Sequence, residues 1–478
     1  MTPFEADTTP PVITPPAFIG RVVATVLGVV GASVLRADPD LWGHLRFGLD
    51  IVRDRKLTVI DPYSFTSDVP WINHEWLSET SMAVAYLAGH LPGLLLLKMA
   101  IVGTAYAVMA FRLRRVETPA RWWFLAIGVA ATMTITSTMR PQLWTVLALT
   151  IIASTAHWRL SAQLLLWPAV FALLANLHGG WIVGLGVIGA WSLGTIRDRR
   201  DWRAAVPLGA LCSACLFATL LTPYGMDLWR FVWRTVGFGR EIVEWRPVWE
   251  VHVLVLCIWL AVAVAAVVAV RHTPWSWATT LPVLLLGISS LKVIRLIGLF
   301  GILVAVLLGT RWRYRTEPRL RPALQVSVML VAILPAAFIV RTQTQCLPVD
   351  GPDLAAAAAL ATAAPGRLMV PFNWGQYAIW HFGPQLQVSM DGRRETVYSQ
   401  RMIDLQLALD RGQPEIVSFI ATERPEYIWT YLSSAEPLAG TLRSIGYRQD
   451  VVTERSTVWV RSDLPTLTRG SAMLACFP

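Results

Sequence analysis

The chain has 478 residues, of which 55% are hydrophobic and only 15% are charged. About a quarter of the residues in soluble domains are charged, so this composition excludes an ordinary soluble protein and indicates a membrane protein with several spans. The formal net charge of +10 does not indicate a nucleic-acid partner, because the arginines cluster in short loops between apolar runs, as in multi-pass membrane proteins. The clusters are Arg112, Arg114, Arg115 and Arg121; Arg197, Arg199, Arg200 and Arg203; and Arg311, Arg313, Arg315, Arg319 and Arg321.

The N-terminal segment 1–16 is rich in proline and threonine, a composition typical of a disordered tail. An apolar run follows from Ala17 to Ala37. This run is long for the apolar core of a signal peptide, and the segment before it is acidic rather than basic. We therefore interpret it as an uncleaved first membrane span.

Apolar runs and arginine-rich loops together predict a polytopic α-helical membrane protein with about eleven transmembrane helices. The spans are placed at 17–37, 93–111, 122–138, 141–156, 162–176, 180–196, 204–221, 251–270, 275–290, 293–310 and 322–340. The positive-inside rule then places the N-terminus and the short arginine-rich loops on the cytoplasmic side of the cytoplasmic (inner) membrane.

Two segments need separate treatment. The stretch 74–90 is interpreted as an interfacial or re-entrant helix, because a span there would move the arginine-rich loops to the other face; that it spans the membrane is the alternative. The loop 222–250 carries four arginines on the outer side and is predicted to form an amphipathic helix on the membrane surface.

This topology gathers almost every polar or aromatic motif on the outer face. The motifs are "ADPDLWGH", "DPYSF", "WINHEW", "MRPQLW", "NLHGGW", "TPYG", "IVEWRPVW" and "SSLKVIR". Convergence of polar and aromatic groups at one membrane surface indicates that a binding or catalytic site lies there.

After about Arg341 the chain loses its membrane character. An alanine-rich helix is predicted at 351–364, helices near 399–412 and 435–445, and strands at "RLMVPF", "QLQVSM", "EYIWTYL" and "STVWVRS". The predicted domains are thus a tail at 1–16, a transmembrane domain at 17–341 with a first external loop at 38–92, and an extracytoplasmic α/β domain at 342–478. Cys346 and Cys476 bracket the last domain and are expected to pair there.

No metal site is predicted from the cysteines and histidines. Cys212, Cys215 and Cys257 lie in apolar runs, so the CxxC spacing of the first two is interpreted as accidental. No other cysteine or histidine pair has the spacing of zinc ligands.

Asp38 and Asp40 stand where the chain leaves the first span, followed by Trp42 and His44. In a structural interpretation Asp40 is the N-cap of the helix that begins with Leu41. In a functional one it is a general base at the membrane surface. Later in the same loop, "NHEW" adds His74 and Glu75 beside a tryptophan, which are either site residues or ordinary interfacial polar groups.

Basic residues near the outer ends of the spans are candidates for binding a phosphate group. Lys98, Lys292 and Arg295 lie in apolar surroundings, where cations are costly and often functional, although side chains so near a helix end can also reach the surface. Arg140 and Gln142 begin the fourth span at the same face, and His178 ends the fifth. The motif "MDGRRE" has two interpretations. It is either a plain turn at Asp391, or a segment in which Arg393 and Arg394 fold back onto the membrane site.

The stretch "DPDLWGHLRFGLDIVRDRKLTVIDPYSFTSDVPWINHEWLSE" at 38–79 resembles the first external loop of the GT-C superfamily. These membrane glycosyltransferases use lipid-linked sugars and include protein mannosyltransferases and aminoarabinose transferases. "RPQLW", "NLHGGW", "TPYG", "EWRP", "NWGQYAIW" and "DGRRETVY" resemble the recurrent motifs of an uncharacterised branch of the superfamily, so that the resemblance extends over most of the chain.

The resemblance implies an inverting transferase that moves a sugar from a polyprenyl-phosphate carrier, held with its tail in membrane lipid, to a hydroxyl of a glycan, lipid or protein. Asp40 matches the acidic residue that contacts the acceptor, and Asp38 and Glu75 would be supporting acids. Leu41 stands where many relatives have a glutamate, and "NHEW" stands in place of a basic-proline motif. A divalent metal is therefore possible, and whether the reaction needs one stays open.

Two other functions compete with this one. A flippase or transporter of lipid-linked intermediates would need polar residues through the middle of its spans, of which the sequence has few. A non-catalytic scaffold of envelope assembly would bind partners through its C-terminal domain.

The predicted topology is testable with a thiol reagent that cannot cross membranes. A cysteine placed at Ser67 should be labelled in intact spheroplasts above the level of the unchanged protein, whereas one placed at Arg199 should react only after solubilisation in detergent. Labelling of the Arg199 position alone would reverse the topology.

Overall fold

A computed structural model describes residues 15–35, 38–114, 116, 119–235, 243–312, 351–468 and 470. These residues form two compact units. We name them the helical unit, within 15–35, 95–222 and 243–312, and the mixed unit, within 38–94, 223–235 and 351–470. The predicted span 322–340 and the cysteines at 346 and 476 lie outside the described residues.

Every predicted span up to residue 310 coincides with a helix. The helices outside the C-terminal part are α1 (Pro15–Ser33), α2 (Pro39–Asp54), α3 (Trp76–Leu113), α4 (Pro119–Thr136), α5 (Gln142–Thr155), α6 (Leu160–Leu177), α7 (Trp181–Arg199), α8 (Ala205–Ala218), α9 (Met226–Thr235), α10 (Val253–His272), α11 (Trp277–Lys292) and α12 (Ile297–Leu303). The last of these continues through a π-helical turn, Val304–Leu308, to Arg311.

Four helical segments of the described chain are long and apolar enough to cross a membrane. They are Trp76–Leu113, Leu160–Leu177, Val253–His272 and Ile294–Arg311. Shorter apolar helices are Gly20–Ser33, Gln142–Thr155, Trp202–Ala218 and Trp277–Lys292. An α-helix satisfies all its backbone hydrogen bonds internally, as hydrocarbon requires, so these helices are those of a multi-pass membrane protein.

Small residues hold α4 and α12 together inside the helical unit. A Cβ on Gly301 would lie only 2.3 Å from the Cβ of Ala131, and one on Gly128 would lie 2.9 Å from the Cβ of Ala305. The two helix backbones approach closely because these positions have minimal side chains, a common means of packing helices in a membrane, where the hydrophobic effect between helices is weak.

Helix α3 is interrupted at Gly89 and His90. Gly89 has φ −163° and ψ 20°, and His90 has φ 50° and ψ −136°, so neither residue is helical. Pro92 follows two residues after His90, and proline disrupts the helical hydrogen bonding of the turn that precedes it. The interruption divides α3 at the place where the sequence separates the stretch 74–90 from the predicted span at 93–111.

Helix α9 is the amphipathic helix predicted in the loop 222–250. Its residues Leu228 and Phe231 are buried, whereas Trp233 is 86% exposed. The predicted amphipathic character of this segment is confirmed.

The C-terminal part of the mixed unit is built on a five-stranded sheet. Its strands are β1 (Gly366–Met369), β2 (Leu386–Val388), β3 (Tyr427–Tyr431), β4 (Tyr447–Val452) and β5 (Ser456–Arg461), in the order β2-β1-β3-β5-β4. Strand β1 is parallel to β2 and β3, and β5 is antiparallel to β3 and β4. The helices are α13 (Leu354–Leu360), α14 (Gly375–Phe382), α15 (Gln400–Arg411), α16 (Ile416–Glu423) and α17 (Leu432–Ser444).

The four predicted strands and the helices predicted at 351–364, 399–412 and 435–445 are confirmed, whereas strand β4 and helix α16 were missed. Strand β4 reads "YRQDVV" and lies at the edge of the sheet, where polar residues replace the apolar pattern of a buried strand. Helix α16 has only 8 residues, too few for a clear helical period.

The first external loop belongs to the same compact unit as the sheet. The Phe65 N–H donates to the carbonyl of Val388 at 3.2 Å, and the Val388 N–H donates to the carbonyl of Tyr63 at 3.0 Å, so the loop extends the sheet beyond β2. Further along the loop, Asp68 accepts hydrogen bonds from the backbone N–H and the hydroxyl of Ser399. The loop is thereby fixed by backbone pairing and polar contacts rather than left in solvent.

A buried ion-pair cluster joins the two parts of the mixed unit. The Arg393 guanidinium donates to both carboxylate oxygens of Asp61, at 2.7 and 2.8 Å, and to Asp391 at 2.6 and 2.8 Å. Three aromatic rings surround the guanidinium within 5.2 Å of their centroids, those of Phe47, Tyr63 and Trp71. The predicted turn at Asp391 is present, since the Arg393 N–H donates to Oδ1 of Asp391 at 2.9 Å and the Arg394 N–H donates to its carbonyl at 3.3 Å. The Arg393 side chain in addition contacts the first external loop.

Candidate functional site

Asp38, not Asp40, caps helix α2. The Asp38 side chain accepts a hydrogen bond from the Asp40 N–H at 3.0 Å, and Pro39 occupies the first helical position. Proline favours that position because it needs no partner for an N–H there. The interpretation of Asp40 as the N-cap is therefore wrong, and its carboxylate stands in the first turn of the helix, where the helix dipole favours a negative charge.

The carboxylate of Asp40 lies against a glycine of the C-terminal domain, in the same unit. A Cβ on Gly392 would lie 2.5 Å from Oδ1 of Asp40 and 2.5 Å from Nε2 of Gln376. Gln376 also packs on Gly43, where an added Cβ would lie 2.2 Å from its Oε1. Because Gly43 and Gly392 have no side chains, α2, α14 and the "DGRR" turn approach one another closely around Asp40.

His44 follows Asp40 by one helical turn and forms an ion pair with Glu79. Its Nδ1 lies 3.1 Å from Oε1 of Glu79, and Asn73 donates to Oε2 of the same carboxylate at 2.6 Å. Asn73 in turn accepts a hydrogen bond from the Glu75 N–H at 3.2 Å. A chain of polar contacts therefore connects α2 to the "NHEW" motif.

The surroundings of His44 favour its charged form. Burial opposes the charge, but the hydrogen bond with Glu79 and the nearby carboxylates of Glu75, Glu79 and Asp40 outweigh it and raise the pKa of His44 to about 9. At neutral pH His44 is an imidazolium, so it can donate hydrogen bonds and balance negative charge but cannot act as a base.

His74 and Glu75 lie at the edge of this cluster. The Nε2 of His74 is 3.8 Å from a carboxylate oxygen of Glu75, and its ring stands 5.3 Å from that of Phe231. The structure therefore gathers Asp38, Asp40, His44, His74 and Glu75 in the mixed unit. We refer to them, with Glu79, as the acidic cluster.

The helical unit contains a second group of candidates, which we call the arginine pair. Arg140 donates to Oε1 of Glu244 at 2.7 Å, and Arg295 lies 3.7 Å from Oε2 of the same carboxylate. Arg295 also approaches Nε2 of His178 at 3.3 Å. Thr145 and the Gly180 N–H contact Nδ1 of His178 at 2.7 and 3.0 Å, which fixes the orientation of the ring.

The remaining candidates of the helical unit, Lys98, Gln142 and Lys292, are not part of the arginine pair. Lys98 is fully buried and donates to the carbonyl of Val34, just after the end of α1, where a cation is favoured by the helix dipole. Gln142 donates to the carbonyl of Ile135 at 3.0 Å. Lys292 is exposed at the end of α11.

Sequence reasoning missed the partners that give these groups their properties. Glu79 and Glu244 are the carboxylates that pair with His44 and with the two arginines. The sequence offered a weak signal for Glu79, because this residue lies one helical turn after Trp76. For Glu244 there was none, since its contacts lie 104 positions away in Arg140. Among the described residues, no group of three or more His, Cys, Asp or Glu is arranged to hold a metal ion.

Comparison with known proteins identifies a similar fold. No protein-family profile and no curated protein sequence matches the chain. Among solved structures, the fold is similar to that of ArnT from Cupriavidus metallidurans in the apo state. The TM-score is 0.55 at 12% sequence identity, and the match covers 93% of this chain and 98% of that chain. The chain therefore has an ArnT-like fold.

The raised pKa of His44 predicts a pH dependence of stability. A group whose pKa is higher in the folded than in the unfolded protein contributes stability that is full below the unfolded value, about 6.5, and is lost as pH rises toward the folded value. The thermal midpoint of the unchanged protein should therefore exceed that of His44→Gln most at pH 6, and the difference should vanish near pH 9–10. Glu79→Gln should flatten the same profile, and a difference that grows with pH would contradict the assignment.

Proposed function

We propose that this chain is a membrane glycosyltransferase that moves a sugar from a polyprenyl-phosphate carrier to an acceptor hydroxyl at the outer face of the cytoplasmic membrane. The GT-C-like fold supports the reaction class. The observation that carries the proposal is the position of Asp40, whose carboxylate is not used as a helix cap and lies between α2 and the "DGRR" turn.

In the proposed reaction Asp40 is the general base. It takes the proton of the acceptor hydroxyl as that oxygen forms a bond with the anomeric carbon of the sugar. The bond between the anomeric carbon and the phosphate oxygen breaks at the same time, and polyprenyl phosphate leaves with the electron pair. The attack occurs opposite the leaving group, so the configuration is inverted. His44, held as an imidazolium by Glu79, interacts electrostatically with Asp40 and balances its negative charge.

The arginine pair is the proposed site of the carrier phosphate, with Lys98 and Lys292 as further cations. Guanidinium groups suit phosphate because their donors match its oxygens. Glu244 already supplies a carboxylate to Arg140 and Arg295, at 2.7 and 3.7 Å, so the phosphate would have to compete with this carboxylate for the two side chains. Gln142, whose side chain donates to the carbonyl of Ile135, is a further proposed substrate-binding residue.

The proposed orientation follows from the charge of the loops. With the arginine-rich loops in the cytoplasm, the N-terminus is cytoplasmic and the first external loop and α/β domain, 342–478, are extracytoplasmic. The polyprenyl tail then lies in membrane lipid, and the sugar and acceptor meet outside.

Substitution of Asp40 tests this proposal. Asp40→Asn keeps the size of the side chain and, since Asp38 is the cap, leaves the start of α2 intact. Transfer should fall by about 10² to 10⁴-fold, the usual contribution of a general base, while binding of the lipid donor changes little. The readout is release of polyprenyl phosphate from a sugar-charged donor by the purified protein.

Asp38→Asn is the matched control. Asparagine caps a helix about as well as aspartate, so this variant should keep most of the transfer activity and the thermal midpoint. Asp40→Glu, which displaces the carboxylate by one methylene, should be intermediate. Full activity of Asp40→Asn would leave the mechanism without its base. A chain that only translocates or scaffolds lipid-linked intermediates would release no polyprenyl phosphate in any variant.

A further inference from the structure

A cavity of about 330 Å³ lies in the mixed unit, beside the C-terminal half of α2. Helix α2 forms one wall, the first external loop forms the second, and the segment from Ile379 to Leu386 forms the third. Ligand-binding pockets usually have volumes of about 300–1,000 Å³, so the cavity has the size of a site for one small ring.

The polar part of the lining presents hydrogen-bond donors and acceptors next to one another. Oδ2 of Asp50 accepts from the Arg46 Nε–H at 2.8 Å and from the Tyr63 hydroxyl at 2.7 Å, and Oδ1 lies 2.8 Å from a terminal nitrogen of Arg53. A carboxylate has about four acceptor positions, so one remains at Oδ1 for a ligand. In the described part of the chain Arg46 uses only its Nε–H, which leaves its terminal amino groups as donors.

The rest of the lining is largely apolar. Phe47, Tyr63 and Trp71 form an aromatic group, in which the Phe47 centroid lies 4.8 Å from that of Tyr63 and 5.3 Å from that of Trp71. Ile379 and Leu386 add aliphatic side chains from the C-terminal domain. The buried ion-pair cluster fixes the three rings, because its guanidinium lies within 5.2 Å of each centroid.

This lining suits a sugar ring. The hydroxyls at the edge of a pyranose each donate and accept, which matches the adjacent Arg46 and Asp50, and the C–H groups on its faces match an apolar wall. A phosphate would meet the carboxylates of Asp50 and Asp54, which both line the cavity. A wholly apolar ligand would bury the polar side chains without hydrogen-bond partners, at a cost in free energy.

Asn73 connects the cavity to the acidic cluster. It lines the cavity, and its side chain donates at 2.6 Å to Glu79, the carboxylate that pairs with His44. Asp50 stands ten residues after Asp40 on α2, which is about 15 Å along the helix axis. One sugar ring in the cavity therefore does not extend to Asp40, whereas a glycan of several units does.

We propose that this cavity is a subsite for a sugar unit of a glycan acceptor, remote from the reacting hydroxyl. The terminal amino groups of Arg46 and Oδ1 of Asp50 bind two neighbouring hydroxyls of that unit, and the apolar wall packs on its ring. The role in acceptor binding rests on the proposed function, but the binding of a sugar does not require transfer. The subsite increases the affinity for the acceptor and takes no part in proton transfer.

The experiment is saturation-transfer NMR of the full-length protein in lipid nanodiscs, because alkyl glucoside and maltoside detergents would themselves present sugars. The probes are the methyl glycosides of glucose, galactose, mannose, N-acetylglucosamine and arabinose. At least one should receive saturation from the protein. Arg46→Gln should weaken its binding by about tenfold or more, the effect of losing a hydrogen bond to a charged group. Thr58→Trp, which fills the cavity from the loop and leaves the ion pairs in place, should abolish the signal.

The matched control is Arg55→Gln. Arg55 is exposed at the same end of α2 and does not line the cavity, so its removal should leave sugar binding unchanged. The proposal is wrong if no glycoside receives saturation, or if Arg46→Gln and Thr58→Trp bind the sugar as well as the unchanged protein does. An equal loss in Arg55→Gln would show a surface effect and overturn it, as would binding of glycerol phosphate in place of every glycoside.

Transfer kinetics separate this proposal from the proposed function. With a glycan acceptor, Arg46→Gln and Thr58→Trp should raise KM by about tenfold or more and leave kcat nearly unchanged, since Asp40 and its surroundings stay intact. An unchanged KM in both variants, with normal release of polyprenyl phosphate, would contradict the acceptor subsite alone. Sugar binding without any release by the unchanged protein would support the sugar site and overturn the transfer reaction, and with it the acceptor role.

Discussion

The mixed unit depends on one buried guanidinium, that of Arg393. It is 9% exposed and balances two carboxylates, Asp61 from the first external loop and Asp391 from the C-terminal domain. Burial opposes the ionisation of Asp391, but Arg393 outweighs it and holds the pKa of that carboxyl below its usual range. Loss of one partner from such a cluster leaves charge buried without compensation, so the loop and the domain are stable only together.

The acidic cluster is built on this association. Gly392 directly precedes Arg393, and the ion pairs fix its backbone against Oδ1 of Asp40. Asp40 therefore contacts residues more than three hundred positions away in the chain, and the "DPD" and "DGRR" motifs form one site. The external loop is a structural half of that site rather than a connection between spans.

The elements that depend on local sequence patterns could be predicted from the sequence. The helices up to residue 310 and four strands follow from hydropathy, periodicity and the positive-inside rule, which act over short stretches of chain. Asp38 rather than Asp40 caps α2 because Pro39 prefers the first helical position, a local rule that was available but was outweighed by the apolar residues after Asp40. The pairs His44–Glu79 and Arg140–Glu244, and the cluster around Arg393, join residues 35, 104 and 332 positions apart and have no local signature. One sequence gives no means of finding such pairs.

Hydrogen–deuterium exchange of Arg393→Met tests most directly whether this cluster joins the loop to the domain. Arg443→Met is the control, because Arg443 is exposed and donates to Gln449 at 2.7 Å within the C-terminal domain, and such surface substitutions usually change stability by no more than about 0.5 kcal/mol. The account predicts a loss of about 3–5 kcal/mol in Arg393→Met, seen as faster exchange in both α2 and the β2 strand, with transfer activity lost in parallel. Unchanged exchange in both segments of Arg393→Met would contradict it.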